Sequence, residues 1–481
     1  MQILFVTSEA VPFIKTGGLA DVAGSLPKAL KAQGADVRVI LPKYGDIPES
    51  FKDQMYTVHT DSVYVNWRQQ YCGIEELEYD GVTYYFVDNQ FYFNRQGLYG
   101  YGDDAERFAF FCRGVLEALP KLNFQPDVIH CHDWHTGLVP VFLEANYKQY
   151  EFYHNMRTMF TIHNLKYQGV FGREVLSDIL NLGPEHYQTE ALEFNDAISF
   201  MKGGIAYSNS ITTVSPTYAE EIQTHYFGEG LDGLLRKRSG DLHGILNGID
   251  YDVYDPMTDP HLEIHYRGAM NKKKLNKTML QAQMGLPVNG NIPMISIVTR
   301  LVEQKGLDLI HRVLEDILAE DVQLVVLGTG QSYYEALFRE AAHRHPEKLS
   351  AHIYFSEEMA RKVYASSDLF LMPSLFEPCG IGQLIAMRYR TVPIVRETGG
   401  LKDTVQAYNP VDGTGTGFTF HDYNAHEMLY AIQRGVRAYG EKETWNKLIA
   451  NIGKTDFSWK ASAKQYMQLY RQTAAGRAGV R

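Results

Sequence analysis

The sequence is poor in cysteine, has no excess of basic residues and contains no long hydrophobic run. Lys and Arg total 46 against 57 Asp and Glu, and the net charge of −11 argues against nucleic acid or an anionic membrane as a partner. Apolar runs such as 324–327 fall far short of the ~20 residues of a membrane helix. The four cysteines show no Cys-x-x-Cys spacing, which excludes a disulfide scaffold and indicates a reducing compartment. Met1 leads directly into an apolar strand pattern without a basic leader, so we expect a cytoplasmic protein.

Apolar strand patterns alternate with helix-length segments along the whole chain of 481 residues. This alternation predicts an α/β protein with parallel sheets that are covered on both faces. Turn-rich sequence near 240–290 interrupts the rhythm and predicts a boundary between two domains of similar size, while the aromatic-rich segment 62–101 predicts an antiparallel insertion. The predicted strands are 3–7, 37–41, 128–131, 158–162, 211–214, 294–298, 322–327, 369–372 and 392–395, and the predicted helices include 19–33, 105–119 and 307–318.

A six-residue motif occurs once in each half of the chain. Thr16-Gly17-Gly18-Leu19-Ala20-Asp21 reappears as Thr398-Gly399-Gly400-Leu401-Lys402-Asp403. Glycine turns can simply open helices, but a pair of such turns favours two loops with related roles at the carboxyl edges of parallel sheets. Unpaired amides at a helix start attract an anion, and Lys15 precedes the first turn. We therefore predict a phosphate contact for Lys15.

Charged residues also follow two strands of the second half. Arg300 and Lys305 come just after the strand 294–298, where two cations suit a diphosphate. Glu377 lies between Phe376 and Pro378 after the strand 369–372, an unusual setting for a surface turn. We interpret Glu377 as a buried acid that hydrogen-bonds a sugar or stabilises positive charge.

Three further patterns could indicate sites of other kinds. The segment His130-Cys131-His132 alternates across a strand, so its side chains cannot converge on one metal, and no partner pair is evident. Asp250-Tyr251-Asp252 resembles a metal clamp but is interpreted as a turn, because the cations already serve a diphosphate. Gly328-Thr329-Gly330 follows a strand, yet Tyr333 stands where a dinucleotide-binding motif needs its third glycine, which argues against an oxidoreductase. His163 ends the strand 158–162 at the same edge as Lys15.

Several long motifs in order closely resemble the bacterial glycogen synthases, the ADP-glucose-using family related to plant starch synthases. The resemblance covers nearly the entire chain. It implies a GT-B fold, in which two Rossmann-like domains face a deep cleft. The implied division is 1–245 for the acceptor side, 246–455 for the donor side and 456–481 for a helix that returns to the first domain. The motifs are 15–22, 132–135, 161–164, 247–250, 300–306, 376–380 and 398–401.

The same resemblance implies roles for individual residues. Glu377, His163, Arg300 and Lys305 are expected to act in catalysis, with Arg300 and Lys305 on the donor diphosphate and Glu377 at the glucose. Phe355 stands where the family places an aromatic ring against adenine, and Tyr354 is its nearest competitor. The remaining substrate-binding residues are expected to be Lys15, Gly17, Gly18, Asp21, Asn247, Cys379, Gly380, Thr398, Gly399 and Gly400.

The implied function is retaining transfer of glucose from ADP-glucose to the non-reducing end of glycogen or a malto-oligosaccharide, without a cofactor or metal. Related retaining transferases carry a second glutamate eight residues after the first, and here that position is Ile385. A front-face substitution therefore fits better than a double displacement. The alternatives are UDP-glucose as the donor, a catalytically silent glucan-binding protein and a dinucleotide oxidoreductase.

Overall fold

Two large, mainly parallel sheets form the framework of the computed structural model, which describes residues 1–476. The chain divides into two units. The first comprises Met1–Asn247 together with the segment that begins at Trp459, and the second comprises Gly248–Ser458.

The first unit is built on a nine-stranded sheet in the order β12-β11-β7-β6-β1-β2-β5-β4-β3. All neighbours from β12 to β5 are parallel, whereas β4 pairs antiparallel with both β5 and β3. A small antiparallel sheet has the order β8-β10-β9. The strands are β1 Gln2–Val6, β2 Asp36–Pro42, β3 Tyr56–Val65, β4 Arg68–Tyr79, β5 Val82–Asp88, β6 Val128–His132, β7 Arg157–Ile162, β8 Val170–Gly172, β9 Glu193–Phe194, β10 Ala197–Ser199, β11 Ser210–Thr213 and β12 Leu242–Gly244.

Helices cover this sheet through apolar residues at helical spacing. Leu19, Val22, Leu26 and Leu30 of α1 are buried, and they recur every three or four residues. The helices are α1 Gly18–Ala32, α2 Glu49–Lys52, α3 Gln90–Phe93, α4 Asp104–Lys121, α5 Leu138–Phe142, α6 Val175–Asp178, α7 Phe200–Tyr207, α8 Pro216–Glu221 and α9 Asp232–Lys237. The unit also contains short 3-10 helices at Trp134–Thr136, Glu151–Tyr153 and Pro184–His186 and a short π-helix at Leu143–Tyr147.

The second unit contains a six-stranded sheet in the order β15-β14-β13-β16-β17-β18, in which every pair is parallel. Its central strands are almost entirely buried, as expected of a parallel sheet covered on both faces. The strands are β13 Met294–Val298, β14 Gln323–Leu327, β15 Leu349–His352, β16 Leu369–Met372, β17 Val392–Arg396 and β18 Phe418–Phe420.

The helices of the second unit differ from the prediction at one point. The predicted helix 307–318 is two helices, because Val313 has φ −123° and ψ 20° and ends the first of them. The helices are α10 Met270–Gln283, α11 Leu307–Arg312, α12 Leu314–Ala319, α13 Ser332–Arg344, α14 Glu357–Ser366, α15 Gly382–Arg388, α16 Gly399–Thr404, α17 Ala425–Gly440 and α18 Lys442–Ile452, with a 3-10 turn at Glu303–Lys305.

A last helix, α19 Trp459–Ala474, packs on α1 and β7 of the first unit. Its Ser462 hydroxyl donates to the carbonyl of Leu246 at 2.6 Å, and its Tyr470 hydroxyl lies 2.6 Å from Nδ1 of His130. Among residues 1–476, no helix combines the length and the apolar character that a membrane span requires.

Each large sheet has one position where the strand order reverses. In the first sheet this position lies between β1 and β6, and in the second it lies between β13 and β16. Ligands of open α/β sheets bind outside the carboxyl ends of the strands at such a position. The loops after these four strands are therefore where a site is expected.

Candidate active site

A buried carboxylate, that of Glu9, links the two ends of the loop after β1 by hydrogen bonds. Glu9 accepts hydrogen bonds from the hydroxyl of Thr16 at 2.9 Å, from the amide of Thr16 and from the amide of Gly17. Burial raises the pKa of Glu9 to about 7, and these hydrogen bonds act in the opposite direction. The amides of Thr16 and Gly17, which we expected to be unpaired, are thus bound to a carboxylate of the chain itself.

Lys15 and Asp21 form an ion pair beside this loop. The Nζ atom of Lys15 lies 2.8 Å from Oδ1 of Asp21, in the first turn of α1, and both side chains are partly exposed. Gly18 is the first residue of α1. The structure therefore places Lys15, Gly17, Gly18 and Asp21 together at the carboxyl edge of the first sheet.

His163 follows β7 at the same edge and is held by residues at the end of β6. Its Nε2 atom lies 2.9 Å from Nδ1 of His132, and its amide donates to Oδ1 of Asp133 at 2.8 Å. Burial lowers the pKa of His163 to about 3 and raises the pKa of Asp133 to about 7. His163 is therefore uncharged at neutral pH. Asn247, the last residue of this part of the unit, is buried, and its Oδ1 atom has no hydrogen-bond partner in the described chain.

In the second unit, Lys305 and Glu377 meet where the strand order reverses. Lys305 lies in the loop after β13 and Glu377 in the loop after β16, and Nζ of Lys305 is 2.7 Å from Oε2 of Glu377. The hydroxyl of Ser374 donates to the same oxygen at 2.9 Å. Both charged side chains are largely buried, at 15% and 9% exposure. The carboxylate of Glu377 therefore has a fixed position at this edge.

Close backbone packing holds these two loops together. The amide of Leu375 donates to the carbonyl of Gln304 at 2.9 Å, and the side chain of Gln304 donates to the carbonyl of Phe376 at 3.2 Å. Gly306 has φ 73°, and a Cβ atom there would lie 2.0 Å from the carbonyl oxygen of Pro373. Only glycine permits this approach without strain.

The second glycine turn supports the loop that carries Glu377. The amide of Gly400 donates to the carbonyls of Glu377 and Pro378 at 3.2 and 3.1 Å. Gly399 has φ 44°, and a Cβ atom there would lie 2.0 Å from the carbonyl oxygen of Glu377. Thr398 is the buried residue that precedes α16. Cys379 is buried and Gly380 adopts φ 74° in the same loop.

Arg300 and Phe355 are exposed at the same edge. Arg300 lies just past the end of β13 and Phe355 just past the end of β15. The ring of Phe355 is 76% exposed, against 41% for Tyr354. Both side chains are therefore accessible to a ligand.

The segments 250–252 and 328–330 have structural roles. Asp250 accepts a hydrogen bond from the amide of Asp252 at 2.8 Å and so closes its own turn. Gly328 and Gly330 allow the loop after β14 to pack on the loop after β13, because Cβ atoms there would lie 1.8 Å from the carbonyl of Thr299 and 2.3 Å from that of Leu301. Within residues 1–476, no group of three or more His, Cys, Asp or Glu side chains is arranged to hold a metal ion.

Sequence reasoning missed three residues that position the site. Glu9, Asp133 and Ser374 each hold a loop that carries a predicted residue. Asp133 lies within the motif 132–135, Ser374 lies two residues before the motif 376–380, and Glu9 lies in the same loop as Lys15. The sequence shows each of them only as a polar residue in a loop after a strand. That position is typical both of residues that stabilise a loop and of residues that contact a ligand.

Two family models match the chain. The starch synthase catalytic domain matches residues 2–237, and the glycosyl transferases group 1 model matches residues 283–452. The chain is 55% identical over 473 residues to a glycogen synthase of Desulforamulus reducens, which covers 98% of both chains. It is 56% identical to a glycogen synthase of Clostridium acetobutylicum, covering 98% of this chain and 99% of the relative.

Solved structures agree with this result. The catalytic domain of starch synthase IV from Arabidopsis thaliana, bound to ADP and acarbose, superposes with a TM-score of 0.92 at 34% identity and covers 98% of this chain and 99% of that one. Sucrose-phosphate synthase from Thermosynechococcus elongatus shares the fold, with a TM-score of 0.62 at 17% identity and 99% coverage of both chains. The predicted fold class, two parallel-sheet Rossmann-like domains of the GT-B class, is confirmed. The chain belongs to the glycogen and starch synthase family of glycosyltransferases.

Proposed function

We propose that the chain transfers glucose from ADP-glucose to the non-reducing end of an α-1,4-glucan with retention of configuration. The observation that carries this proposal is the ion pair between Lys305 and Glu377 where the strand order of the second sheet reverses. A cation and a carboxylate fixed side by side suit a substrate with a negative diphosphate next to a sugar. The related starch synthase IV, whose structure holds ADP and acarbose, supports both the nucleotide and the glucan.

The donor occupies the second unit. Arg300 and Lys305 bind its diphosphate, and Glu377 contacts the glucose. Phe355 stacks on the adenine, because its exposed face is free for a ring that must enter from solvent. The rigid loops 377–380 and 398–400 line the glucose, and they supply Cys379, Gly380, Thr398, Gly399 and Gly400.

The reaction is a front-face substitution. The bond between the anomeric carbon and the diphosphate oxygen breaks, and ADP departs with the electron pair. The acceptor's 4-hydroxyl oxygen bonds to the anomeric carbon on the same face, and its proton passes to the departing phosphate. Ile385 supports this route, because it is a buried apolar residue of α15 where a double displacement would need a second carboxylate.

The charged side chains of the site are opposite in sign to the charges that develop on the substrate during the reaction. Arg300 and Lys305 stabilise the leaving diphosphate as its negative charge grows, and the carboxylate of Glu377 stabilises the positive charge at the anomeric carbon. Preorganised groups of this kind act without rearrangement, and the fastened loops after β13 and β16 provide that rigidity.

The acceptor glucan belongs to the first unit in this proposal. The domains are 1–245 for the acceptor and 246–455 for the donor, and the segment 456–481 returns to the first domain, although residues 477–481 lie outside the described chain. Lys15, Gly17 and Gly18 of this unit contact the donor, and Asp21, His163 and Asn247 also bind substrate. Neutral His163 suits a hydrogen bond to a sugar hydroxyl, which carries no charge.

A comparison of donors tests the proposal. Purified protein is incubated with glycogen and either ADP-[¹⁴C]glucose or UDP-[¹⁴C]glucose, and label in precipitated glucan is counted. We expect incorporation from ADP-glucose at a rate well above that from UDP-glucose. A preference for UDP-glucose would reassign the donor, and no incorporation from either donor with intact glycogen binding would indicate a silent glucan-binding protein.

A further inference from the structure

Two histidines at the carboxyl edge of the first sheet share a single hydrogen bond. His132 ends β6 and His163 follows β7, and Nδ1 of His132 lies 2.9 Å from Nε2 of His163. A nitrogen-to-nitrogen hydrogen bond needs one donor ring and one acceptor ring. Burial lowers the pKa of both rings, so the pair is neutral near pH 7 and has only two proton arrangements.

The second nitrogen of His132 distinguishes these arrangements. Its Nε2 atom is buried and has no hydrogen-bond partner in the described part of the chain. If His163 were the donor, His132 would carry its own proton on Nε2 and would bury an N–H group without an acceptor. If His132 is the donor, its Nε2 atom instead buries an unused lone pair, and among buried groups in proteins an orphaned N–H is the rarer of the two cases.

The surroundings of His132 provide no acceptor for such a proton. The ring stacks on Phe5 with centroids 3.9 Å apart and packs on His130 at 4.0 Å. Both nitrogens of His130 are already engaged, Nδ1 with the Tyr470 hydroxyl and Nε2 with the Thr161 hydroxyl, each at 2.6 Å. His130 therefore closes this side of the ring and cannot accept a further hydrogen bond.

We propose that His132 is a positioning residue that donates from Nδ1 to Nε2 of His163 and thereby holds His163 in its Nδ1–H form. The amide of His163 is fixed by Asp133 at 2.8 Å, so both the backbone and the ring are oriented. The Nδ1–H group of His163 has no partner among residues 1–476 and is left as a donor. Its acceptor is an uncharged sugar hydroxyl, an identification that rests on the proposed function.

Neutron diffraction from deuterium-exchanged crystals of the unmodified protein tests the proton arrangement directly. We expect deuterium on Nδ1 of His132 and on Nδ1 of His163, and none on Nε2 of either ring. Deuterium on Nε2 of His163 would overturn the proposal. This measurement needs no substrate, so it decides the proton arrangement even if the proposed function fails.

Two substitutions test the positioning role. His132→Phe keeps a ring against Phe5 but removes the donor, whereas the amide nitrogen of His132→Asn takes the place of Nδ1. We expect His132→Phe to lower kcat for glucose transfer by about 10- to 100-fold, the cost of a misplaced group, with KM nearly unchanged. His132→Asn should recover most of that loss.

The pair also separates positioning from a structural role. Equal losses in the two variants at native melting temperature, or no loss in His132→Phe, would contradict positioning through the hydrogen bond. If His132→Phe does not fold, the neutron map and the activity of His132→Asn test the positioning role. A folded His132→Asn with activity as low as that of His163→Ala would contradict that role. A wild-type protein that transfers no glucose would refute the proposed function and leave the proton arrangement to the neutron map.

Discussion

Removal of the Lys305 ammonium is the perturbation for which the structure gives the clearest magnitude. Its Nζ atom lies 2.7 Å from Oε2 of Glu377 in a largely buried setting, in the loop after β13. Loss of one preorganised electrostatic group costs about 3–4 kcal/mol in the transition state, or a factor of about 100 to 1,000 in turnover. Because leaving-group charge develops only as the bond breaks, Lys305→Ala should lower kcat far more than it raises KM for ADP-glucose.

Initial rates at saturating glycogen with ADP-glucose varied provide the assay. Arg300→Ala should show the same pattern, since both cations face the diphosphate. Lys362→Ala is the matched control, because Lys362 pairs at 2.8 Å with the exposed Glu358 on α14 and not with a proposed site residue. If Lys305→Ala and Arg300→Ala changed only KM, both residues would bind ground state and transition state equally, and the leaving-group assignment would be refuted.

Three other predictions concern Phe355, the metal requirement and Glu9. Phe355→Ala should keep the fold, because Phe355 is 76% exposed. It should raise KM for ADP-glucose, because roughly 1–3 kcal/mol of stacking on the adenine is lost. An effect seen only in Tyr354→Ala would assign the adenine contact to Tyr354 instead. Transfer should continue in excess EDTA, because Arg300 and Lys305 supply the positive charge; activity lost with EDTA and restored by Mg²⁺ or Mn²⁺ would contradict this. Burial raises the pKa of the Glu9 carboxyl from 4.5 to about 7. Between these two pH values the folded state keeps a proton that the unfolded state has lost. The free energy of unfolding therefore falls by roughly 3 kcal/mol as the pH rises through this range. Urea denaturation should show a flatter pH dependence in Glu9→Gln, and an unchanged slope would count against this view of Glu9.

Strand positions were predictable because buried parallel strands are continuous apolar runs. The nine predicted strands are all present, with ends that differ by about one residue, as expected for pattern-based boundaries. The prediction of an antiparallel insertion over 62–101 was only partly right. Strands β3 and β4 form an antiparallel hairpin, but β5 pairs parallel with β2. The aromatic residues of this segment include Tyr84 and Tyr85, which are buried in β5.

The candidate site was predictable as a set of loops but not as a set of contacts. Residues after strands share one edge of a parallel sheet, so Lys305 and Glu377 could be expected near each other from their positions alone. Their ion pair, and the closure of the first glycine loop by Glu9, depend on tertiary packing that spacing does not encode. The break at Val313 likewise depends on a backbone angle that helical periodicity does not reveal.

Simultaneous measurement of ADP release and glucan growth tests the central claim most directly. Wild-type protein and Glu377→Gln are given ADP-glucose and a malto-oligosaccharide of defined length, and ADP and product lengths are followed together. The account predicts one ADP for each glucose added in the wild type, and near-complete loss of both in a Glu377→Gln protein that melts like the wild type, because the substitution removes the charge at the sugar but keeps its size. Near-normal chain growth in a natively folded Glu377→Gln would contradict it.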